Sequence, residues 1–322
     1  MSNREIVAEN LIKRYNGSVV AVNDVSFRVK SGEIFGFLGP NGAGKSTTVA
    51  MLTTLIVPTS GRAVVGGYDV VSQAGEVRRI AGVALQEIGL DPLMKSMELL
   101  TIQAQLFGMT RRQAQQRARE LLELVKLDDV TDRLVGKYSG GMRRRLDLAL
   151  ALAHEPDILF LDEPTTGLDP ASRRDIWNEV RRLNQQLGMT IFLTTQYLEE
   201  ADELADRIAI IDGGKIVAEG APADLKASLG SESINVTFRD AEAVERARAE
   251  LAGMAERMQT DRRTLRLYLP NAAASVPSVV SRLTAAGLEP ASLTLTQPTL
   301  DDVFLQVTGQ RFSAEAAESE AA

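Results

Sequence analysis

One short motif constrains the fold of this chain more than any other feature. Residues 39–46 have the sequence GPNGAGKS and fit the phosphate-loop pattern GxxxxGK[ST]. They follow an apolar segment, residues 34–38, and precede a segment from Lys45 to about Thr54 with helical character. A strand that runs through a glycine-rich loop into a helix is typical of α/β proteins that bind phosphate at the helix amino terminus. The sequence therefore predicts a phosphate-binding β-α unit.

This loop carries each kind of group that a nucleoside triphosphate requires. Backbone N–H groups converge on phosphate oxygens, Lys45 adds a positive charge for the β and γ phosphates, and the Ser46 hydroxyl is a Mg²⁺ ligand. A glycine-rich turn that binds nothing is the alternative, and the strand and helix on either side disfavour it. The predicted nucleotide-binding residues of this segment are Gly39, Pro40, Asn41, Gly42, Ala43, Gly44, Lys45, Ser46 and Thr47.

A second apolar segment, residues 158–161, ends in Asp162 and Glu163. Ligands of open α/β sheets bind at the carboxyl ends of the strands. We predict that Asp162 holds Mg²⁺ through water and that Glu163 polarises the attacking water as general base. Two acidic residues after a strand are also a common loop start, but together with a phosphate loop they indicate phosphoryl transfer.

The composition excludes several other classes of protein. The chain has no cysteine and a single histidine, His154, which rules out disulfides, thiol catalysis and a Cys/His metal cluster. A net charge of -7 argues against nucleic acid as the main partner. The chain lacks both an apolar run of about 20 residues, as a membrane-spanning helix needs, and a secretory signal, so we expect it in the cytoplasm.

Strand and helix signals divide the chain into two predicted domains. Residues 1–225 alternate short strands with helices, which predicts an α/β fold, and a 3.6-residue period over residues 93–126 predicts a helical subdomain at about residues 90–155. Residues 226–310 predict a small α+β domain, and the tail, residues 311–322, is predicted to be disordered. The strands predicted in the first domain are residues 7–15, 25–29, 34–38, 80–85, 157–161, 190–194, 207–211 and 215–219, with a turn at residues 58–61.

A serine-glycine segment then suggests a family. Ser139, Gly140, Gly141 and Met142 precede an apolar helix, about twenty residues ahead of Asp162. Here the chain resembles the ATP-binding subunits of ABC transporters, whose signature LSGGQ stands as YSGGM at residues 138–142. The resemblance covers about residues 5–225 and implies an ABC cassette, that is, a P-loop NTPase core with a mixed sheet and an inserted helical subdomain.

The resemblance also implies roles for residues outside the phosphate loop. Tyr15 resembles the aromatic residue that stacks on adenine. Gln86 resembles the glutamine that touches Mg²⁺ and reports to the membrane partner. Asp169, in the segment GLD at residues 167–169, resembles the loop that lies against the opposite subunit.

In this family two cassettes pair head to tail, and Ser139, Gly140 and Gly141 of one close over the ATP on the other. Gly140 and Gly141 expose N–H groups at a helix amino terminus, a phosphate site with no phosphate of its own. Because the chain has one phosphate loop and one signature, the resemblance implies a homodimer, or pairing with a second such subunit. It further implies an ATPase, using ATP and Mg²⁺, that energises a separate integral membrane permease from the cytoplasmic face of the plasma membrane. The permease binds most of the hydrophobic cargo.

The sequence departs from the family at one position of the catalytic site. Gln196 stands where the switch histidine normally lies; its amide can donate a neutral hydrogen bond to the γ phosphate, but it cannot shuttle a proton. We therefore expect ATP binding to be intact and turnover slow, with Glu163 as the main catalytic residue beside Lys45 and Gln196.

Three segments favour the drug-exporting branch of the family, of the daunorubicin and doxorubicin resistance type: YSGGMRRR at residues 138–145, TTQYLEEAD at residues 194–202 and TLDDVF at residues 299–304. One alternative is an ABC-type ATPase of DNA repair or translation. Ser46 and Ser139 are only 93 residues apart, too close for the long coiled coil of the repair proteins. The other alternative, favoured only by Gln196, is an ATP-gated dimerisation module with little turnover.

Overall fold

The computed structural model describes residues 4–15, 19–87, 89–229, 232–269, 271–296 and 298–309. It divides into two compact units, which meet in the sequence between Gly220 and Ala221. The expected limit between residues 225 and 226 is close to this point, and the domain limits stay a prediction. The tail, residues 311–322, lies outside the described residues, and so does the disorder predicted for it.

A six-stranded sheet forms the centre of the first unit. Its strand order is β10-β9-β3-β8-β7-β6, with β10 antiparallel to β9 and the other neighbours parallel. The central strands are continuous apolar runs because both faces of the sheet are covered. The strands are β3 (Ile34–Leu38), β6 (Ala81–Ala84), β7 (Ile158–Asp162), β8 (Thr190–Thr195), β9 (Arg207–Asp212) and β10 (Lys215–Gly220). The predicted mixed sheet is confirmed.

A smaller antiparallel sheet packs on this core, in the order β2-β1-β4-β5. Its strands are β1 (Ile6–Tyr15), β2 (Val19–Val29), β4 (Ser60–Val65) and β5 (Tyr68–Asp69). Five phenylalanines join the two sheets: the ring of Phe192 lies 5.5–5.8 Å, centroid to centroid, from the rings of Phe27, Phe35, Phe37 and Phe160.

The smaller sheet differs from the sequence prediction in the start of β2 and in the presence of β4, where no strand was predicted. β2 begins at Val19 rather than at residue 25, and β4 begins at Ser60, inside the predicted turn. Gly61 explains the second difference, because a Cβ there would lie 2.2 Å from the carbonyl oxygen of Asn10, where the register of β1 and β4 shifts. The glycine that signals a turn in the sequence instead allows close strand pairing at a bulge.

Helices complete the first unit. Four of them adjoin the sheets: α1 (Lys45–Leu52), α2 (Ala74–Ile80), α6 (Pro170–Leu187) and α7 (Leu198–Leu204). Three more lie between β6 and β7, as the helical period predicts: α3 (Ser96–Leu106), α4 (Arg111–Leu124) and α5 (Gly140–Ala151). His154, just beyond α5, stacks on Phe107 with ring centroids 3.9 Å apart and its Nε2 lies 3.2 Å from the Ala81 carbonyl oxygen, so it is a packing residue.

The second unit is a four-stranded antiparallel sheet, β12-β13-β11-β14, with helices. Its elements are α8 (Pro222–Ala227), β11 (Glu232–Thr237), α9 (Ala241–Glu250), β12 (Arg257–Asp261), β13 (Thr264–Leu269), α10 (Ala272–Ala285), β14 (Ser292–Thr296) and α11 (Leu300–Thr308). One face of the sheet carries Ile234, Val236 and Leu267, which pack with Val244 and Val279 of the helices. The predicted α+β character is confirmed. In the motif TLDDVF, Thr299 and Asp302 cap α11, and Asp302 also pairs with Arg266 of β13.

Among the helices of the described residues, none combines the length and the hydropathy that a membrane-spanning segment requires.

Candidate nucleotide site

The phosphate loop runs from the buried end of β3 into α1. Gly44, just before α1, has a φ of 105°, a left-handed conformation that favours glycine, and a Cβ there would lie 2.3 Å from the Ala21 carbonyl oxygen. Because Gly44 gives α1 no side-chain cap, the first N–H groups of the helix are left for a ligand. Asn41, Gly42 and Ser46 are exposed, so the loop is open to solvent.

The Lys45 side chain turns back into the loop that precedes it. Its Nζ donates hydrogen bonds to the carbonyl oxygens of Gly39 at 2.9 Å and Pro40 at 3.0 Å. The same atom lies 3.0 Å from Oε1 of Glu163, and each of these two side chains is only 3% exposed. The predicted phosphate-binding lysine and the predicted general base are therefore direct neighbours in a buried ion pair.

Glu163 has an unusual backbone conformation at the end of β7. Its φ of 48° is left-handed, which costs roughly 1–3 kcal/mol and persists only where the surroundings impose it. Its N–H donates to the carbonyl oxygen and to Oγ1 of Thr194, at 3.2 and 3.0 Å. Its Oε2 accepts from Thr166 Oγ1 at 3.2 Å and from Gln86 Nε2 at 3.4 Å. Thr194 therefore fixes the backbone of Glu163, while Thr166 and Gln86 orient its carboxylate.

Asp162 and Ser46 form an oxygen-rich corner beside the loop. Ser46 Oγ donates to Asp162 Oδ1 at 3.2 Å, and Thr194 Oγ1 donates to the same oxygen. In the part of the chain that the structure describes, no cluster of three or more His, Asp or Glu side chains offers a metal cage. Mg²⁺ normally binds through one or two carboxylates, water and substrate phosphate, without such a cage. The neighbouring oxygens of Ser46 and Asp162 therefore fit the predicted Mg²⁺ site, and the role of Gln86 as a third ligand stays a prediction.

The switch position lies next to the phosphate loop. Gln196 follows β8 and is almost fully buried. Immediately before it, the Thr195 carbonyl oxygen accepts a hydrogen bond of 3.2 Å from the N–H of Gly39. After it, the Tyr197 ring lies under the guanidinium of Arg173, 4.3 Å from ring centroid to Cζ.

A buried carboxyl group supports the switch segment from α7. Glu200 Oε1 accepts hydrogen bonds from Thr165 Oγ1 at 2.8 Å and from Trp177 Nε1 at 2.9 Å. Burial raises the pKa of Glu200, and these hydrogen bonds partly offset the effect. Glu200 thereby ties α7 to the loop after β7 and to α6.

The serine-glycine segment forms the amino terminus of α5. Ser139 Oγ accepts from the N–H of Met142 at 3.2 Å, and a Cβ on Gly141 would lie 2.8 Å from Ser172 Oγ of α6. Asp169 caps α6 and accepts from Ser172 Oγ at 2.6 Å, which lowers the pKa of Asp169. The amino termini of α5 and α6 thus lie side by side, although no hydrogen bond or ion pair within the described residues joins Ser139, Gly140 or Gly141 to the phosphate loop.

Tyr15 lies at the end of β1 with an exposed fraction of 40%. Its ring centroid is 5.2 Å from Lys13 Nζ, and it pairs with Val19 at the start of β2, the strand whose Ala21 packs against Gly44. The ring is thus a flat, accessible surface on the strand pair beside the loop, and its role toward adenine stays a prediction.

Arg144 belongs to the run of three arginines at residues 143–145, and the sequence analysis assigned it to no site. It is 4% exposed and donates to the backbone carbonyl oxygens of Leu85 at 2.6 Å, Asp162 at 2.9 Å and Pro164 at 2.8 Å. It also lies 3.2 Å from Asp147. One signal could have identified it: Arg144 precedes the buried Leu148 by four positions, so it lies on the buried face of the helix.

Comparison with known proteins tests these expectations. The family model described as "ABC transporter" matches residues 22–166. The chain is 45% identical to the daunorubicin resistance ATP-binding protein DrrA3 of Streptomyces coeruleorubidus, over 96% of the chain and 97% of that protein. The chain belongs to the ABC transporter family. The resemblance based on residues 138–142 is confirmed, and with it the cassette fold and the ATPase class.

Other members of the ABC transporter family give the same result. The daunorubicin/doxorubicin resistance ATP-binding protein DrrA of Streptomyces peucetius is 45% identical, over 98% of this chain and 97% of its own. The family model "ATP-binding protein DrrA1-3-like, C-terminal domain" matches residues 220–308. A solved ATP-binding cassette, a dimer in a post-hydrolysis state with ADP and Pi, is similar with a TM-score of 0.62 and 26% identity, over 67% of this chain and 98% of that one.

Asp147 should make the stability of the first unit depend on pH. Burial raises its pKa from 3.8 to about 6 although Arg144 opposes the shift. The folded state then binds the proton more tightly than the unfolded state, so this carboxyl's contribution to stability is complete below about pH 4 and is lost between pH 4 and 6. In the unaltered chain the free energy of unfolding should therefore fall by about 2–3 kcal/mol between pH 4 and 6 on account of this group, and we expect Asp147→Asn to remove that fall. Urea unfolding followed by fluorescence of the single tryptophan, Trp177, measures it; parallel pH profiles for the two proteins would contradict the expectation.

Proposed function

We propose that this chain is the ATP-binding and ATP-hydrolysing subunit of an ABC exporter of drugs or antibiotic-like hydrophobic compounds. The observation that carries the proposal is the meeting of Lys45 with Glu163 and of Ser46 with Asp162, because it joins the phosphate loop to the acidic end of β7. The names of the relatives support the transport role: besides the daunorubicin resistance proteins, the linearmycin resistance ATP-binding protein LnrL of Bacillus subtilis is 38% identical, over 94% of this chain and 98% of that protein.

Binding of ATP rearranges the buried ion pair. The β and γ phosphates take the Lys45 ammonium that Glu163 and the Gly39 and Pro40 carbonyls hold, and the free N–H groups of α1 add to their binding. Ser46, Asp162 and Gln86 would hold Mg²⁺, which would supply positive charge against the developing negative charge of the phosphates. Tyr15 stacks on the adenine. Glu163, released from Lys45 but still held by Thr194 and Thr166, accepts a proton from the attacking water.

We further propose that hydrolysis requires two copies of the chain. Ser139, Gly140 and Gly141 lie at the amino terminus of α5, and Asp169 lies at the adjacent amino terminus of α6. Helix amino termini attract anions, and a second copy supplies the γ phosphate that these two ends need. The dimeric state of the similar solved cassette supports this arrangement.

The membrane partner is a separate permease, which binds most of the cargo and places this subunit at the cytoplasmic face of the plasma membrane. A groove of about 450 Å³ lies beside Gln86 and includes Leu55, Leu85, Leu90 and Phe107 in its lining. We assign this groove to a cytoplasmic segment of the permease. The groove is lined by both neighbours of Gln86, and Gln86 contacts Glu163. A permease segment bound in the groove is therefore linked to the catalytic carboxylate through Gln86.

Glu163→Gln should separate binding from hydrolysis. We expect turnover to fall about 100-fold or more because the general base is lost. ATP affinity should stay or rise because Lys45 loses its competing carboxylate. Phosphate release, titration with a fluorescent ATP analogue, and light scattering for the ATP-dependent dimer measure these effects. As controls, Lys45→Ala should abolish ATP binding and the exposed Lys30→Ala should change neither property. Full hydrolysis by the glutamine variant would contradict the assignment.

Gln196→His should raise turnover by about tenfold, because an imidazole can carry the proton that an amide cannot. Phosphate release under saturating ATP measures it, and affinity for ATP serves as the control. A lower rate would contradict the view that glutamine limits the reaction. If the unaltered chain dimerises with ATP and hydrolyses none, the function is that of an ATP-gated dimerisation module.

Leu55→Asp tests the permease groove. Leu55 is 59% exposed, so the substitution should spare the fold and the ATPase activity of the isolated subunit while weakening the complex. The measurement is co-purification of the candidate permease with this subunit, after co-expression and solubilisation in detergent. Leu187→Asp, at a residue that is 55% exposed on α6, is the matched control and should retain the complex. Equal recovery of the permease with both variants would exclude the groove as its binding site.

A further inference from the structure

Arg144 joins two backbone segments that carry proposed catalytic residues, through three carbonyl oxygens. Its Nη1 donates to the Leu85 carbonyl oxygen, directly before Gln86. Its Nη2 and Nε donate to the carbonyl oxygens of Asp162 and Pro164, which stand on either side of Glu163. One planar guanidinium therefore fixes both ends of the Glu163 segment and the start of the Gln86 segment at once.

This contact explains how Glu163 keeps its left-handed backbone. Pro164 already disfavours the right-handed helical conformation for the residue before it. The left-handed φ of 48° still has to be imposed by neighbours, and Arg144 anchors the carbonyl groups on both sides while Thr194 holds the N–H between them. Without Arg144 these three carbonyl oxygens would lose their donor in a buried site.

We propose that Arg144 is a positioning residue for ATP hydrolysis, which holds Glu163 and Gln86 in their working geometry and couples them to the signature helix α5. The inference rests on the proposed role of Glu163 as general base. Arg144 lies in the second turn of α5, roughly 7.5 Å along the axis from the cap Ser139. A phosphate that settles on the amino terminus of α5 therefore acts on the same rigid element that holds Glu163.

The side chain has to be arginine because its charge alone is not sufficient. The guanidinium uses three different nitrogen atoms, Nε, Nη1 and Nη2, for the three carbonyl oxygens, whereas a lysine ammonium has a single nitrogen atom that cannot take all three positions. Asp147, 3.2 Å away on the next turn, supplies the counter-charge. Arg143, the preceding residue, is exposed and provides a matched control on the same helix.

The test compares Arg144→Met, Arg144→Lys and Arg143→Met in the full chain with MgATP. We expect Arg144→Met to lower kcat about 10- to 100-fold, because a small displacement of a catalytic group costs that much, with KM for ATP and affinity for a fluorescent ATP analogue within about threefold. Arg144→Lys should show most of the same loss. Arg143→Met should stay within about twofold of the unaltered chain, since surface substitutions have small effects.

Chemical rescue separates positioning from mere packing. Arg144→Ala removes the guanidinium, and guanidinium chloride added well below denaturing concentrations should restore part of kcat, whereas methylammonium chloride should not. This measurement also decides the matter if Arg144→Met fails to fold. Thermal unfolding followed by circular dichroism shows whether each variant is folded.

Two results would overturn the inference. Turnover by Arg144→Met equal to that of Arg143→Met would show that Glu163 needs no such anchor. Parallel loss of ATP affinity and kcat in every Arg144 variant, without rescue, would show a purely structural role. In both cases the unaltered chain still hydrolyses ATP and the proposed function stands. An unaltered chain that hydrolyses no ATP refutes the proposed function and this inference together.

Discussion

The buried ion pair between Lys45 and Glu163 organises the rest of the site. Two charges removed from water need compensation from every side, and the structure supplies it. Lys45 gives its remaining donors to the carbonyl oxygens of the phosphate loop, and Glu163 takes hydrogen bonds from Thr166 and Gln86. Because a triphosphate carries more negative charge than one carboxylate, it competes well for Lys45. When phosphate replaces Glu163 as the partner of Lys45, nucleotide binding therefore also releases the proposed base.

The topology of the sheet places these partners within reach of one another. β3, β7 and β8 are parallel neighbours, so their carboxyl ends meet at one edge. β8 connects the other two directly: Thr194 contacts both Asp162 and Glu163, and the Thr195 carbonyl oxygen accepts from Gly39. Neither threonine carries chemistry of its own, yet together they set the spacing between the phosphate loop and the acidic strand end.

The sequence reveals the features that follow from local patterns. Continuous apolar runs predict β3, β7 and β8, and the glycines and lysine of residues 39–46 predict the phosphate loop. The edge strand β12 was not predicted because the half-buried residues RMQTD lack an apolar pattern, and β4 was not predicted because Gly61 signals a turn as strongly as a bulge. The role of Arg144 could not be predicted from the sequence, because its partners are backbone carbonyl oxygens. Every residue has such an oxygen, so no sequence pattern identifies the partners.

The same arrangement occurs twice at the surface proposed to face a second copy of the chain. Ser139 caps α5 and Arg144 follows in the next turn; Asp169 caps α6 and Arg173 follows in the next turn. Arg173 donates to the Leu168 carbonyl oxygen at 3.0 Å and covers the ring of Tyr197, beside Gln196. Each helix therefore carries an arginine from its exposed amino terminus to one side of the nucleotide site: Arg144 to the general base, Arg173 to the switch. An anion that binds at either amino terminus would therefore contact the same helix that holds an arginine against a catalytic segment, so each segment is linked to the proposed partner surface through a single rigid element.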